Sequence, residues 1–163
     1  PGIDGDNVVT AFRVLEGEVA TEGKQVVVLG GRRVGTETAE YLTLRGATVT
    51  VVTRSPLSQL AIDAAPTYRA PLLRRLRNAE VKFIGDHDVK EINGQGLTLI
   101  GPEREEEFLA TDLVVIARGA VPQRSLADEA ARLVNEVHVI GDSVEPRSIA
   151  EAMYEGTMAG RRI

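Results

Sequence analysis

The 163-residue sequence contains no cysteine and no tryptophan, and only 4% of its residues are aromatic. Without cysteine the chain can form no disulfide, no redox-active dithiol and no thiolate metal site. Basic residues are not in surplus either, because the formal net charge is −5. Proteins bind nucleic acids largely through Lys and Arg that neutralise phosphates, so this composition argues against a nucleic-acid partner.

A long hydrophobic run is also missing. No window approaches the roughly 18 consecutive apolar residues of a membrane-spanning helix, and no charged start followed by an apolar stretch indicates a signal peptide. The absence of cysteine fits a reducing compartment, so we expect a cytoplasmic protein without a membrane partner. Because the first residue is Pro1 rather than Met, the sequence is either a processed product or a piece of a longer chain, and we favour the second interpretation.

The residues that are present, 43% hydrophobic and 26% charged, predict a globular domain with its own core. The stretch VVVLGGRRVGTETAEYLTLRGATVTVVTR, residues 26–54, contains an apolar run, a glycine-rich turn, a helical pattern that ends at Gly46 and a β-branched run. This order predicts a strand at 26–29, a helix and a strand at 48–53. Two parallel strands joined by a helix begin a parallel sheet.

The rest of the first two thirds extends this sheet. Residues 1–10 are rich in turn formers and predict an incoming loop, and a short helix follows. Residues 65–79 predict a helix that Pro71 starts or breaks, and residues 81–85 predict a third strand. Turn signals then predict a three-stranded antiparallel meander, which returns the chain to the parallel sheet at residues 113–117.

The last part of the chain predicts a helix-prone stretch, a short strand at 137–142 and a final helix opened by Pro146. Taken together, these patterns predict an α/β fold. It is Rossmann-like, with a mostly parallel sheet flanked by helices and a three-stranded antiparallel meander.

The glycine-rich turn is the strongest candidate site. In a dinucleotide fingerprint the first glycine permits a tight turn, the second permits approach of the pyrophosphate, and the third lets helix and strand pack closely. Gly30 and Gly35 occupy the first and third places, but Arg32 occupies the second, and Gly31 adds only local flexibility. The Arg32 guanidinium either grips phosphate or folds over the site and closes it. The helix offers free amides to an anion, whereas the fold alone would also explain Gly30 and Gly35.

Thr53 and Arg54 end the second strand of this unit and are the candidate residues on the adenosine side. An Asp or Glu about 20 residues after the glycines would bind the ribose of NAD. Residues 47–54 contain no acid. Arg54 is instead compatible with the 2′-phosphate of NADP, with no adenosine selectivity, or with an exposed arginine that binds nothing.

Three segments, GKQVVVLGGRRVGTETAEYLTLRGATVTVVTR, LATDLVVIARGAVPQ and VHVIGDSVEPRSIAEAMYEGTMAGRRI, follow one another over nearly the whole chain. They resemble the carboxyl-terminal part of Old Yellow Enzyme-like multidomain flavin oxidoreductases, the branch that contains 2,4-dienoyl-CoA reductase and trimethylamine dehydrogenase. The resemblance implies an incoming segment at residues 1–24 and an NAD(P)-type dinucleotide-binding fold at 25–122. Residues 123–163 would be the last segment of an outer FAD- or ADP-type fold.

The resemblance also implies roles for three further residues. Gly141 and Asp142 belong to the FAD-type half, where the aspartate accepts a hydrogen bond from the flavin or the nucleotide sugar. Helix packing with Asp142 as an N-cap acid is the alternative. Gly119 is a further cofactor-binding candidate, although the family often has Thr-Gly where this chain has Arg118 and Gly119.

The function implied is that of the nucleotide-binding portion of a flavin-dependent NAD(P)H oxidoreductase. It would position a dinucleotide for electron transfer with a flavin held elsewhere in the full-length chain. Its cofactor would be NAD(P)H, with FAD or ADP partly contacted. Its partners would be upstream FMN-barrel and FAD-type domains of the same chain, where FMN and an iron–sulfur cluster would lie, so the fragment would not be active alone. A homo-oligomer is a further possible assembly.

The alternative function is a vestigial nucleotide fold that joins domains and binds no ligand. No residue set supports acid–base or nucleophilic catalysis, so we predict no catalytic residue. His87 lies between Asp86 and Asp88 and could touch a metal, but adjacent loop residues of this kind are usually solvated. We therefore predict no metal site.

Overall fold

The computed structural model describes residues 1–163, and the chain divides into two units, Pro1–Arg118 and Gly119–Ile163. The strands are β1 (Val8–Thr10), β2 (Gln25–Leu29), β3 (Thr48–Val52), β4 (Lys82–Ile84), β5 (Asp88–Asn93), β6 (Gly96–Ile100), β7 (Glu106–Ala110) and β8 (Leu113–Ile116). The α-helices are α1 (Ala11–Leu15), α2 (Arg33–Leu44), α3 (Pro66–Asn78), α4 (Ser125–Ala130) and α5 (Ile149–Gly160), and short 3-10 helices occupy Leu57–Gln59 and Gly141–Ser143. No helix combines the length and the apolar composition that crossing a bilayer requires.

Five strands of the first unit form one parallel sheet in the order β1-β8-β2-β3-β4. The central strands are rich in valine, and their side chains alternate between two apolar layers. One layer includes buried residues of the helices, and the other includes buried residues of the meander. Because both faces are covered, these strands are almost continuously apolar. Full burial of each large side chain contributes about 1.5–3 kcal/mol.

The meander is a separate antiparallel sheet of β5, β6 and β7, in which Asn93 pairs with Gly96 across the first turn. β8 then returns to the parallel sheet between β1 and β2. The predicted α/β fold, with a mostly parallel sheet, flanking helices and a three-stranded meander, is confirmed.

The start of the chain differs from its prediction. The incoming loop predicted over residues 1–10 ends in β1, which pairs with β8 so that Val8 lies opposite Val114 and Val9 opposite Val115. A strand of three residues is short, but β-branched side chains fit a half-buried sheet edge well. β1 therefore closes one edge of β8, and residues 8–10 belong to the sheet.

The helix α3 also differs from its prediction, because Pro71 neither starts nor breaks it. Pro66 lies in the first turn, where the fixed backbone of proline suits a helix. Pro71 lies inside the helix and cannot donate the usual backbone hydrogen bond. Leu72 and Leu76 are fully buried on the same helix, and their burial offsets that loss.

The second unit contains two α-helices and a 3-10 turn but no strand. The strand predicted at 137–142 is wrong. Ile140 has extended backbone angles, φ −139° and ψ 166°, but no neighbouring strand pairs with this segment. A β-strand needs a partner edge for its backbone hydrogen bonds, and this unit offers none.

The start of α5 is set by Ser148 rather than by Pro146, so that prediction is wrong as well. The Ser148 hydroxyl accepts a hydrogen bond from the Ala150 amide at 3.2 Å. The Glu151 carboxylate accepts one from the Ser148 amide at 3.0 Å. This reciprocal pair is a capping box, which satisfies amides that the first turn of a helix leaves free.

Candidate functional site

The turn between β2 and α2 requires glycine at two of its positions. Gly30 has φ +133°, and a Cβ atom there would lie 2.4 Å from the Ala117 carbonyl oxygen. A Cβ atom on Gly35 would lie 1.9 Å from the Gly30 carbonyl oxygen. The first glycine therefore makes the tight turn, and the last lets the first turn of α2 approach the strand end.

Gly31 does more than add flexibility. A Cβ atom at this position would lie 2.9 Å from Leu60 and 2.9 Å from Thr53. The Gly31 carbonyl also accepts a hydrogen bond from the Ala61 amide at 2.7 Å. Gly31 is thus enclosed by the segment that follows β3, which the sequence pattern did not indicate.

Thr53 is buried beside this turn. Its hydroxyl accepts a hydrogen bond from the Ser55 amide at 3.2 Å, and its carbonyl accepts one from the His87 amide at 3.2 Å. The structure therefore brings Thr53 together with Gly31, as expected for one site. The contacts of the Thr53 side chain shape the loop that carries Arg54, whose own side chain is exposed.

Arg32 lies immediately before α2, with an extended backbone at φ −80° and ψ −176°. Its side chain makes no capping hydrogen bond and is exposed to solvent. The guanidinium is therefore not buried over the glycine turn. The amides of Arg32, Val34 and Gly35 donate no hydrogen bond within the chain, so three donors at the helix start have no partner.

The first amide of α2 already donates a hydrogen bond within the chain, and its acceptor, Asp63, was not predicted from the sequence. The Arg33 amide donates a hydrogen bond to the Asp63 carboxylate at 2.8 Å. Asp63 precedes α3 and lies 30 positions beyond Arg33. The signal that could have found it is its place in the loop after β3, because loops at the carboxyl ends of parallel strands meet at one sheet edge.

A second charged group lies at the same end of the sheet. Arg118 follows β8, and its Nη1 donates to the Asp88 carboxylate at 3.2 Å. Partial burial would raise the pKa of Asp88, but the Val89 amide and the charges of Arg118 and Arg54 outweigh it and lower the pKa below its usual value. The buried Nη2 of Arg118 has no hydrogen-bond partner. Arg118 thus pairs with Asp88 while the charge of Arg54 acts on the same carboxylate from farther away, and one guanidinium donor of Arg118 is unsatisfied.

The second unit holds the other predicted pair. Gly141 is buried with φ +61°, and its amide donates to the Glu155 carboxylate at 2.7 Å. The Asp142 carboxylate accepts from the Arg147 amide at 3.2 Å, and the Arg147 guanidinium pairs with Glu155. The alternative role for Asp142 as a helix N-cap is wrong, because Ser148 caps α5.

The remaining candidates show no reactive arrangement. Gly119 has φ +64°, a left-handed backbone conformation that favours glycine, and no atom lies close to where a Cβ would stand. His87 Nδ1 lies 2.6 Å from the Gly85 carbonyl. No three His, Asp and Glu side chains are grouped so as to hold a metal ion. The start of α2 presents unpartnered amides beside an exposed guanidinium, a combination that favours an anion, and no acid and base lie together there for proton transfer.

Known proteins are similar to this chain over nearly its whole length. An NADH oxidase of Thermoanaerobacter brockii is 34% identical over 155 residues, which cover 91% of this chain and 23% of that protein. The structure of a 2-naphthoyl-CoA reductase with 2-naphthoyl-CoA is 29% identical, with a TM-score of 0.89, and the match covers 99% of this chain and 24% of that one. An amine oxidase for 6-hydroxypseudooxynicotine from Pseudomonas geniculata N1 has the same fold at 22% identity and a TM-score of 0.85, over 98% of this chain and 25% of that one.

The chain thus spans about a quarter of the length of these relatives. The similarities confirm the predicted resemblance to multidomain flavin oxidoreductases of the Old Yellow Enzyme-like branch, and the chain fits a nucleotide-binding part of a flavin oxidoreductase. The family model described as pyridine nucleotide-disulphide oxidoreductase matches residues 1–156, and the chain belongs to that family.

Proposed function

We propose that the turn from Gly30 to Gly35 binds the diphosphate of NAD(P)H and positions it for electron transfer with a flavin held elsewhere in the full-length protein. The observation that carries this proposal is the turn, where neighbouring backbone occupies the space of a side chain at Gly30 and Gly35. Ligands of open α/β sheets bind at this edge, and free amides with the helix dipole favour an anion. NAD(P)H supplies the hydride, while the protein supplies binding and orientation.

Different side chains around the turn would contact different parts of the dinucleotide. Arg32 is exposed beside the unpartnered amides of the helix start, so its guanidinium can bind the diphosphate through charge-assisted hydrogen bonds. Thr53 would fix the loop at the adenosine end, and Arg54 would face the ribose. The charge of Arg54, with no acid nearby in the preceding strand, favours NADP over NAD.

Residues 123–163 would complete an outer FAD- or ADP-type fold, with Asp142 toward the flavin nucleotide and Gly141 and Gly119 as turn residues near it. The polar contacts from Glu155 and Arg147 support this role, because they hold the Gly141–Asp142 turn in one conformation. Residues 25–122 would form the NAD(P)-type fold, and residues 1–24 would lead into it while adding β1 to its sheet beside β8.

The rest of the protein would provide the reaction centre. The relatives are about four times as long as this chain, which supports further domains in the full-length protein. In this proposal those domains would lie upstream and would carry a second flavin, FMN, and an iron–sulfur cluster. These domains would be the physical partners of the chain, and a homo-oligomer is compatible with this organisation.

A scaffold without ligand is the second candidate, and a specific observation favours it. The Asp63 carboxylate occupies the Arg33 amide, and Leu60 encloses Gly31. A diphosphate would have to share the helix end with a negative charge. In the scaffold hypothesis, the fold would serve only to join the flavin-bearing domains.

Titration of the full-length flavin-loaded protein with NADP⁺ and NAD⁺ separates the two functions, because the oxidised dinucleotides bind without reducing the flavin. Calorimetric Kd values in the micromolar range are expected for NADP⁺ if the turn is a binding site. Absent or millimolar binding would favour the scaffold.

The matched variants Val34→Glu and Leu44→Glu locate any binding that is found. Both residues are exposed on α2, but only Val34 lies in its first turn. A carboxylate at position 34 should repel the diphosphate and weaken NADP⁺ binding about tenfold or more. The same charge at position 44, at the other end of the helix, should leave Kd within about twofold. Equal effects of the two variants would place the bound dinucleotide away from the turn.

A further inference from the structure

Asp63 occupies the position that an anionic ligand of α2 would take. Its carboxylate accepts a hydrogen bond from the amide of Arg33, the first residue of the helix, at 2.8 Å. A helix N-terminus attracts negative charge through its free amides and its dipole. The chain therefore supplies its own anion at the end of the helix where the dinucleotide diphosphate is expected.

The loop that carries Asp63 is held in place by several independent contacts. The Ala61 amide donates to the Gly31 carbonyl at 2.7 Å. Arg69 donates from Nε to the Leu60 carbonyl at 2.6 Å and from Nη2 to the Ser58 carbonyl at 2.5 Å. Leu60 and Ala61 are buried, and Ala61 adopts the left-handed conformation at φ +49°. The position of Asp63 is thus built into the loop.

We propose that Asp63 is an internal competitor of the dinucleotide diphosphate, whose carboxylate sets the affinity of the site for NAD(P)H. This inference rests on the proposed function of the turn. A diphosphate and a carboxylate cannot both bind the Arg33 amide, and two anions at one helix end repel each other. The ligand must therefore displace Asp63 or bind beside it against that repulsion. In this role Asp63 changes only the affinity for the dinucleotide and takes no part in electron transfer.

A purely structural role for Asp63 is the alternative. Aspartate is a common capping residue, and its hydrogen bond to the helix start stabilises α2 whether or not a ligand binds. The two roles differ in how they depend on charge. A cap needs only an acceptor oxygen, whereas a competitor acts through its negative charge and is screened by salt.

The variant Asp63→Asn in the full-length flavin-loaded protein separates these roles, since Asn keeps the acceptor oxygen and the size of Asp. The matched control is Asp112→Asn, because the Asp112 carboxylate also accepts a backbone hydrogen bond at 2.8 Å, from Gln25 at the other end of β2. Calorimetric titration with NADP⁺ should give a Kd about tenfold lower for Asp63→Asn and an unchanged Kd for Asp112→Asn. The gain should shrink as ionic strength rises.

The outcomes separate the inference about Asp63 from the proposed function of the turn. If the wild-type protein binds NADP⁺ and Asp63→Asn binds it equally or more weakly, Asp63 is only a cap and the inference is overturned, while the binding site stands. If only Asp63→Asn binds, the inference holds and the natural site is closed, as the scaffold hypothesis requires. If neither protein binds, the proposed function fails and the inference fails with it.

Discussion

The two units of the chain differ in what holds them together. All 25 buried hydrophobic residues belong to Pro1–Arg118, and none belongs to Gly119–Ile163. The second unit buries only Gly141. Its large apolar side chains are exposed instead: Val121, Leu126, Leu133, Val134, Ile140, Val144, Ile149, Met153, Tyr154 and Ile163. The first unit has a core of its own, whereas the second exposes an apolar surface of the kind that other protein surfaces usually bury.

The second unit is nevertheless well formed locally. A capping box starts α5, and the Glu155 carboxylate holds the Gly141 amide. Each such polar contact contributes on the order of 1 kcal/mol, whereas ordering the backbone of one residue costs about 1–2 kcal/mol. Local contacts can therefore define the shape of this unit but cannot by themselves stabilise it. The glycine turn therefore lies in a unit that has its own core, whereas the Gly141–Asp142 turn lies in a unit that depends on the rest of the protein.

Separating the chain after Arg118 tests directly whether each unit can fold without the other, and it has the largest expected effect. We expect residues 1–118 to fold and to unfold cooperatively on heating, because their two apolar layers remain intact. Residues 119–163 should show little helical signal when separated, because nothing buries their apolar side chains. Circular dichroism of the two pieces measures both outcomes. A stable, cooperative transition in residues 119–163 would mean that the second unit forms a core of its own.

A pair of identical substitutions gives a finer test within the 163-residue chain. Leu72 is fully buried in α3, and Leu133 is 84% exposed in the second unit. Leu72→Ala should lower the free energy of unfolding by about 2–5 kcal/mol through lost burial and a residual cavity. Leu133→Ala should change it by no more than about 0.5 kcal/mol. Denaturant unfolding of both variants gives the two values, and equal losses would contradict the difference in packing.

The parts of the fold that sequence predicted well are those set by local pattern. β2, α2 and β3 follow from an apolar run, a glycine turn and a β-branched run that lie within 30 residues of one another. The meander follows from turn residues at regular spacing. In each case neighbouring residues carry most of the information, because periodicity selects the element and glycine marks its end.

The parts that sequence missed depend on residues far apart in the chain. β1 has only three residues and becomes a strand because β8, more than 100 positions later, offers an edge. Residues 137–142 have the composition of a strand but find no edge, so they remain unpaired. The candidate site shows the same limit. Gly30 and Gly35 could be placed from their spacing, whereas the bond from Arg33 to Asp63 depends on how a distant loop folds.

The smallest expected effect concerns the Gly141 turn in the second unit. The Gly141 amide and the Arg147 guanidinium lower the pKa of Glu155 below its ordinary value of 4.5. The stabilisation that ionised Glu155 gives to the Gly141 turn is therefore fully present above pH 4.5 and is lost as the pH falls through the lowered pKa of Glu155. The pKa of Glu151, which caps α5, is also lowered, so a change in helix content at low pH would not distinguish the two glutamates. The NMR chemical shift of the Gly141 amide proton isolates Glu155, because Glu155 accepts the hydrogen bond from that amide.

In the 163-residue chain, the wild-type Gly141 amide shift should change in a single step below pH 4.5, when Glu155 takes up a proton and its hydrogen bond weakens. Glu155→Gln should abolish this step, because a neutral amide does not titrate. Glu145→Gln is the matched control, since Glu145 lies 3.8 Å from the same Arg147 but accepts no hydrogen bond from Gly141. A step that survives in Glu155→Gln would show that another acid fixes the turn, and the local contacts that define the second unit would then have to be assigned differently.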